Sequence, residues 1–244
     1  MKETNAQEKR DGVQTPKEPD PLAGSPNRQK VLRALLLQRW AAIGGILSLG
    51  VLYLFVSPEL TFTFFPGWLP LVLEVILVLP FVYSLVLRRH LPQHLTRLLG
   101  FLLAGVATFA LIGSIILLLI TLPHRGSSGS LRLVRDAALL WVSNILVFGF
   151  WYWELDGGGP LKRHQAGNKA KDFLFPQQMS GKTEGWAAQF LDYVFLAFNT
   201  ATAFSPTDTS VLSRQAKGLM MIESLISLVI VAGLAARAIN ILGV

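Results

Sequence analysis

The chain has 244 residues, 52% of them hydrophobic and only 15% charged, with a mean hydropathy of +0.47. An ordinary globular domain carries about a quarter charged residues, so a soluble protein folded around one large core is excluded. The net charge of +7 at pH 7 is no sign of nucleic-acid binding either, because the basic residues flank apolar runs and no recognition motif accompanies them.

Residues 1–28 are rich in Lys, Glu, Asp, Pro and Gln without apolar periodicity, which predicts a disordered cytoplasmic tail. No apolar core of a cleavable signal is visible there, so the first span is expected to act as its own insertion signal. From Gln29 to Trp40, Val31, Leu32 and Leu35 alternate with Lys30, Arg33 and Arg39. That pattern suits a helix lying in, or rising from, a cytoplasmic interface where basic side chains snorkel. Four apolar runs follow at 41–56, 68–87, 98–122 and 137–153, near the ~20 residues that cross a bilayer core. Gly44, Gly45 and Gly50 in the first predict close helix packing. A polar loop at 156–188, expected to be partly ordered at the interface, holds Gly157-Gly158-Gly159-Pro160, read as a flexible turn. An apolar stretch at 190–204 is short for a span, and a last one runs over 218–242.

These elements predict an all-α membrane bundle of about five spans plus a short re-entrant helix or a sixth span. Residues 29–155 form its four-span part and 189–244 a C-terminal module. No internal repeat suggests an inverted-repeat transporter. With the N-terminus inside, the inner loops hold Arg28, Lys30, Arg33, Arg39, Arg88, Arg89, Arg97, Lys162, Arg163, Lys169, Lys171 and Lys182, against Arg125, Arg132 and Arg135 outside. Twelve against three favours a cytoplasmic N-terminus.

The C-terminal module carries the most specific pattern. Asp192-Tyr193 and Phe195–Phe198 lead into Asn199-Thr200-Ala201-Thr202-Ala203-Phe204-Ser205-Pro206-Thr207-Asp208, and an apolar helix with Ser213-Arg214, Glu223-Ser224-Leu225 and Ala235-Ala236-Arg237 follows. This order resembles the pore helix, filter and inner helix of tetrameric potassium-type channels. The resemblance implies a homo-oligomer passing monovalent cations, with Thr200, Thr202, Phe204, Ser205, Pro206, Thr207 and Asp208 at the filter position. Ala203 stands where that pattern has a threonine, Ser205 and Thr207 where it has glycines, and Pro206 where it has an aromatic residue. Successive inward carbonyls need backbone angles that glycine adopts cheaply and proline forbids. Potassium selectivity is therefore not expected. The stretches at 151–160 and 199–209 are also similar to those of a group of bacterial multi-pass membrane proteins, which implies a cell-membrane location and no activity.

The remaining candidates are intramembrane acids. Glu74 sits mid-span, where a carboxylate needs a partner or a role: ion or proton coordination, or a hydrogen bond between helices. Glu223 lies a turn inside the last span, within reach of Arg214 or Lys217. Trp151, Tyr152 and Trp153 with Glu154 and Asp156 are expected to mark the membrane–water boundary. His90 and His94 flank Pro92 and lack a metalloprotease pattern. The chain has no cysteine, which removes thiolate, zinc–thiolate and iron–sulfur chemistry. No catalytic group, metal site or cofactor is expected. The alternative to a channel-like protein, conducting or not, is a membrane scaffold whose 156–188 loop and tail bind a cytoplasmic partner.

Overall fold

The computed structural model describes residues 42–60, 69–86, 93–121, 130–179, 186–205 and 208–242. The expected tail at 1–28, the basic stretch at 29–40, His90, Pro206 and Thr207 lie outside them. The described chain is mostly helical. In order come α1 (Ala42–Phe55), a 3-10 turn (Pro58–Leu60), α2 (Leu69–Val86), α3 (Gln93–Thr121) and α4 (Ser130–Leu155). A 3-10 turn (Asp156–Gly158), α5 (Pro160–Gln165), β1 (Phe173–Leu174), α6 (Pro176–Met179), α7 (Phe190–Ala203), β2 (Ser210–Val211) and α8 (Arg214–Leu242) complete it.

Among the described residues, three helices are long and apolar enough to cross a membrane: His94–Thr121, Arg132–Gly158 and Arg214–Ala236. The 29 residues of α3 extend about 44 Å at 1.5 Å per residue, more than a ~30 Å hydrocarbon core requires. Both α3 and α8 leave Leu102, Phe109, Ile116, Met221, Leu225 and Leu228 exposed, as a lipid-facing surface allows and an aqueous one does not.

Helix α4 is the axis of the packing, contacting α3, α7 and α8. Leu133, Ala137, Leu140, Asn144, Phe148 and Tyr152 along it are all buried. Small residues set the closest approaches. A side-chain carbon on Gly149 would lie 3.1 Å from the Val194 Cα of α7, so these two backbones touch only because that atom is missing. On α1, Gly45 leaves room for the Phe190 ring, which a side chain would meet at 2.5 Å.

Helix directions follow from the cross-links. Along α7, Tyr193 reaches Asp156, Val194 meets Gly149 and Phe198 stacks on Trp141, so α7 descends α4 in the opposite sense. Along α8, Glu223 reaches Tyr152 and Ser227 reaches Trp141, again antiparallel to α4. Helices α7 and α8 therefore run the same way, although only residues 204–213 separate them. β2 pairs antiparallel with β1, Phe173 opposite Val211 and Leu174 opposite Ser210, and Leu212 N–H donates to the Asp172 carbonyl at 2.9 Å. Between α7 and α8 the chain thus returns to the end of the bundle where α7 began.

Candidate functional site

At that end, the segment after α4 is an ordered cap rather than a flexible turn. Gly157, Gly158 and Gly159 have φ of 62°, 82° and 101°, left-handed angles that only glycine adopts in succession without strain. They fold the chain back so that Arg163 of α5, only 4% exposed, lies beneath the C-terminus of α4. Its Nη1 donates to the carbonyls of Trp153 (3.2 Å) and Asp156 (2.9 Å) and lies 3.8 Å from the Asp156 carboxylate. Its guanidinium also covers the Tyr193 ring at 5.1 Å. Asp156 Oδ2 accepts from the Tyr193 hydroxyl (2.6 Å) and Oδ1 from Asp172 N–H (3.2 Å), while Asp172 Oδ2 accepts from Gly157 N–H (2.8 Å). Both oxygens of the Asp156 carboxylate and Arg163 Nη1 are bonded in this buried ion pair, while Arg163 Nη2 makes no hydrogen bond. The pair fastens α4, α5, β1 and the first turn of α7 together.

The aromatic residues of this corner point inward. Tyr152, Trp153, Glu154 and Asp156 are buried and Trp151 is half-buried, at the end of the apolar stretch Arg132–Gly158. Phe173 stacks on Tyr152 and Tyr193, and Phe175 on Tyr193 and Trp186.

Helix α7 begins with Asp192 in its first turn, whose Oδ2 accepts from Gln189 N–H at 2.6 Å, a favourable place for negative charge. It ends at Phe204, whose φ of 55° and ψ of 25° break the helix. Thr200 and Thr202 therefore lie on the last helical turns and not in an extended filter. Their hydroxyls donate back to Leu196 (2.9 Å) and Phe198 (2.7 Å). Thr200 faces the bundle interior, whereas Thr202, Phe204, Ser205 and Asp208 are exposed on the single chain.

Behind α7, Glu223 of α8 is 0% exposed. Its Oε2 takes a short hydrogen bond from the Tyr152 hydroxyl, beside Thr200, so its partner is not the expected Arg214 or Lys217, both exposed on α8. Its Oε1 and the buried Asn144 Oδ1 have no hydrogen-bond partner. Lower down, Trp141 Nε1 donates to Ser227 Oγ (3.0 Å), which donates to the Ala201 carbonyl (2.6 Å) near the end of α7. Ser213 Oγ caps α8 by accepting from Ala216 N–H at 3.2 Å.

In the other half, Glu74 of α2 is 7% exposed and lies against Gly50 and Tyr53 of α1. No group of three or more His, Asp or Glu side chains that would hold a metal occurs among the described residues.

The sequence pattern singled out Glu74, Glu223 and the 200–208 stretch but missed Arg163, Asp156, Asp172 and Tyr193 as a bonded set, and Tyr152 as the partner of Glu223. Three glycines next to an acid, followed by an arginine within a turn, were the available signal. Comparison with protein-family models, curated proteins and solved structures finds no match to this chain.

Proposed function

We propose that this is a multi-pass protein of the cell membrane whose α7–return segment–α8 unit is a re-entrant, channel-like module lining a path for monovalent cations in a homo-oligomer. One observation carries this reading: the chain turns at the far end of α7 with Phe204, Ser205 and Asp208 uncovered. The 14 residues of α7 place that turn about 21 Å from the helix start, level with Ser227 in the middle of α8. Irregular backbone at membrane depth is tolerated only where it meets protein or water, because lipid satisfies none of its polar groups. The turn therefore faces either an aqueous path or another copy of the chain. The negative end of the α7 dipole points at it, which favours a cation there. With proline and β-branched threonine in the return segment, ordered carbonyl rings of the potassium type are not formed, and passage is non-selective.

The charge bias of the loops puts the start of α7 on the cytoplasmic side, with four spans before it and one after. Single cysteines in this cysteine-free chain test the geometry. Leu191→Cys and Ser210→Cys, both at exposed positions, are expected to react with an impermeant thiol reagent from the same side of the membrane. Reaction from opposite sides would make α7 a complete crossing and end the re-entrant reading. In proteoliposomes, Asp208→Asn is expected to lower cation flux several-fold, and a wild-type protein that passes no ions would remove the channel reading.

A second reading has its own support in the dry inner face of α7, where Tyr193, Leu196, Ala197, Thr200 and Ala201 are all buried. A non-conducting scaffold with the same topology needs that packing and no flux.

A further inference from the structure

A second polar site lies outside the C-terminal module. Glu74 lines a cavity of about 30 Å³ between α1, α2 and α3, together with Leu49, Gly50 and Tyr53 of α1 and Leu103, Ala107 and Ala110 of α3. That volume accommodates about one water molecule. Tyr53 is 5% exposed, and its hydroxyl, beside Ser114 and Glu74, makes no hydrogen bond of normal geometry. A carboxyl and an unpartnered phenol thus share one water-sized space inside the helical bundle.

Among the described residues no cation is placed to pair with that carboxyl, whose polar neighbours are the Gly50 backbone and the Tyr53 hydroxyl. Helices α1 and α2 contain no Lys, Arg or His over their described lengths. On α3 the basic residues are His94 and Arg97, in its first turns, and the Arg97 guanidinium covers the Phe101 ring at 5.2 Å. From α4, Arg135 and Asp136 pair with each other at 3.1 Å and bind Ser57, a turn beyond Tyr53. Among the described residues the side-chain oxygens lining the cavity are one carboxyl and one phenol, with the Ser114 hydroxyl beside the phenol, too few for a hard metal cation, which takes six or more oxygen ligands.

We infer that Glu74 is a proton-binding site in the membrane, its carboxyl exchanging a proton through the water-sized cavity that it shares with the Tyr53 hydroxyl. The proton neutralises a charge that lipid and apolar helices would otherwise have to bury. The inference is independent of the α7–α8 reading and of whether the protein conducts.

Dicyclohexylcarbodiimide, an apolar reagent that adds to protonated carboxyls, tests this on the full chain in membranes, with the adduct mapped by peptide mass spectrometry. The expected result is an adduct on Glu74 that diminishes with rising pH, approaching about tenfold per pH unit at the alkaline end as the acid ionises. Sodium at fixed pH leaves the labelling unchanged, and Tyr53→Phe shifts its pH dependence by removing the hydroxyl that shares the cavity with the carboxyl. No adduct on Glu74, labelling that does not change with pH, or labelling that sodium suppresses would each overturn the proton assignment. Labelling of Tyr53→Phe identical to wild type at every pH would overturn the shared site.

Discussion

The two halves of this bundle handle polar groups in opposite ways. Around α4, α7 and α8, polar side chains are numerous and bonded: Asp156 with Tyr193 and Arg163, Glu223 with Tyr152, Ser227 with Trp141 and the Ala201 carbonyl. Around α1, α2 and α3, a single acid lies in an apolar setting beside a phenol without a partner. The first arrangement cross-links the helices around a chain that turns back on itself, even though Asn144 Oδ1, Arg163 Nη2 and Glu223 Oε1 within it make no hydrogen bond. The second leaves one group uncommitted and therefore able to exchange a proton. Polar density builds the scaffold, and its absence marks the place where chemistry is left open.

The comparison breaks most decisively at Asp156. Asp156→Ala removes the carboxylate that neutralises a buried guanidinium and leaves the Tyr193 hydroxyl unpaired, a loss of about 3–5 kcal/mol. The expected outcome is loss of the folded species in detergent, read by size-exclusion profile and thermal unfolding. A variant that folds with a wild-type profile would show that the cap does not hold α7. A smaller effect sharpens the same contrast through glycine. Gly157→Ala forces a left-handed angle on a side chain, at roughly 1–2 kcal/mol, and presses on Arg163 Cβ at 3.2 Å. Gly44→Ala, at an exposed position of α1, meets nothing within 4 Å, so stability is expected to stay level or rise, by at most about 1 kcal/mol of helix propensity. Equal losses in both variants would remove the distinction between a strained turn and an open helix face.

Much of the helical framework was legible because it rests on local runs. The expected span at 68–87 coincides with α2 (Leu69–Val86), and that at 98–122 with most of α3 (Gln93–Thr121). Helices α4 and α8 extend beyond their apolar runs, from Ser130 and Arg214, where polar first turns do not register as hydrophobic. The cap was not legible, since its order depends on partners 10–37 residues away in sequence, such as Trp153 for Arg163 and Tyr193 for Asp156. Arg163, counted as one more basic loop residue, is buried. Thr200 and Thr202 matched a filter by spacing, yet the helix continues to Ala203 because their hydroxyls bond its own carbonyls. Spacing alone does not distinguish a helical turn from an extended strand of the same length.

The finest test of the contrast uses one atom in each half. Tyr152→Phe removes the hydroxyl that donates to Glu223 Oε2 and leaves both oxygens of a fully buried carboxyl unpartnered, since Oε1 already is. That loss is expected to cost about 1–3 kcal/mol and to lower the thermal midpoint. Tyr53→Phe removes an equally buried hydroxyl that makes no normal hydrogen bond, so stability is expected to change by no more than about 0.5 kcal/mol. The ring is retained in both variants, so packing is held constant and only the hydroxyl differs. A Tyr53→Phe loss as large as that of Tyr152→Phe would mean that the α1–α3 cavity is a structural hydrogen-bond site like its counterpart. A difference of 1 kcal/mol or more would assign structural bonding to the α4–α8 pair and leave Tyr53 to act on the Glu74 proton alone.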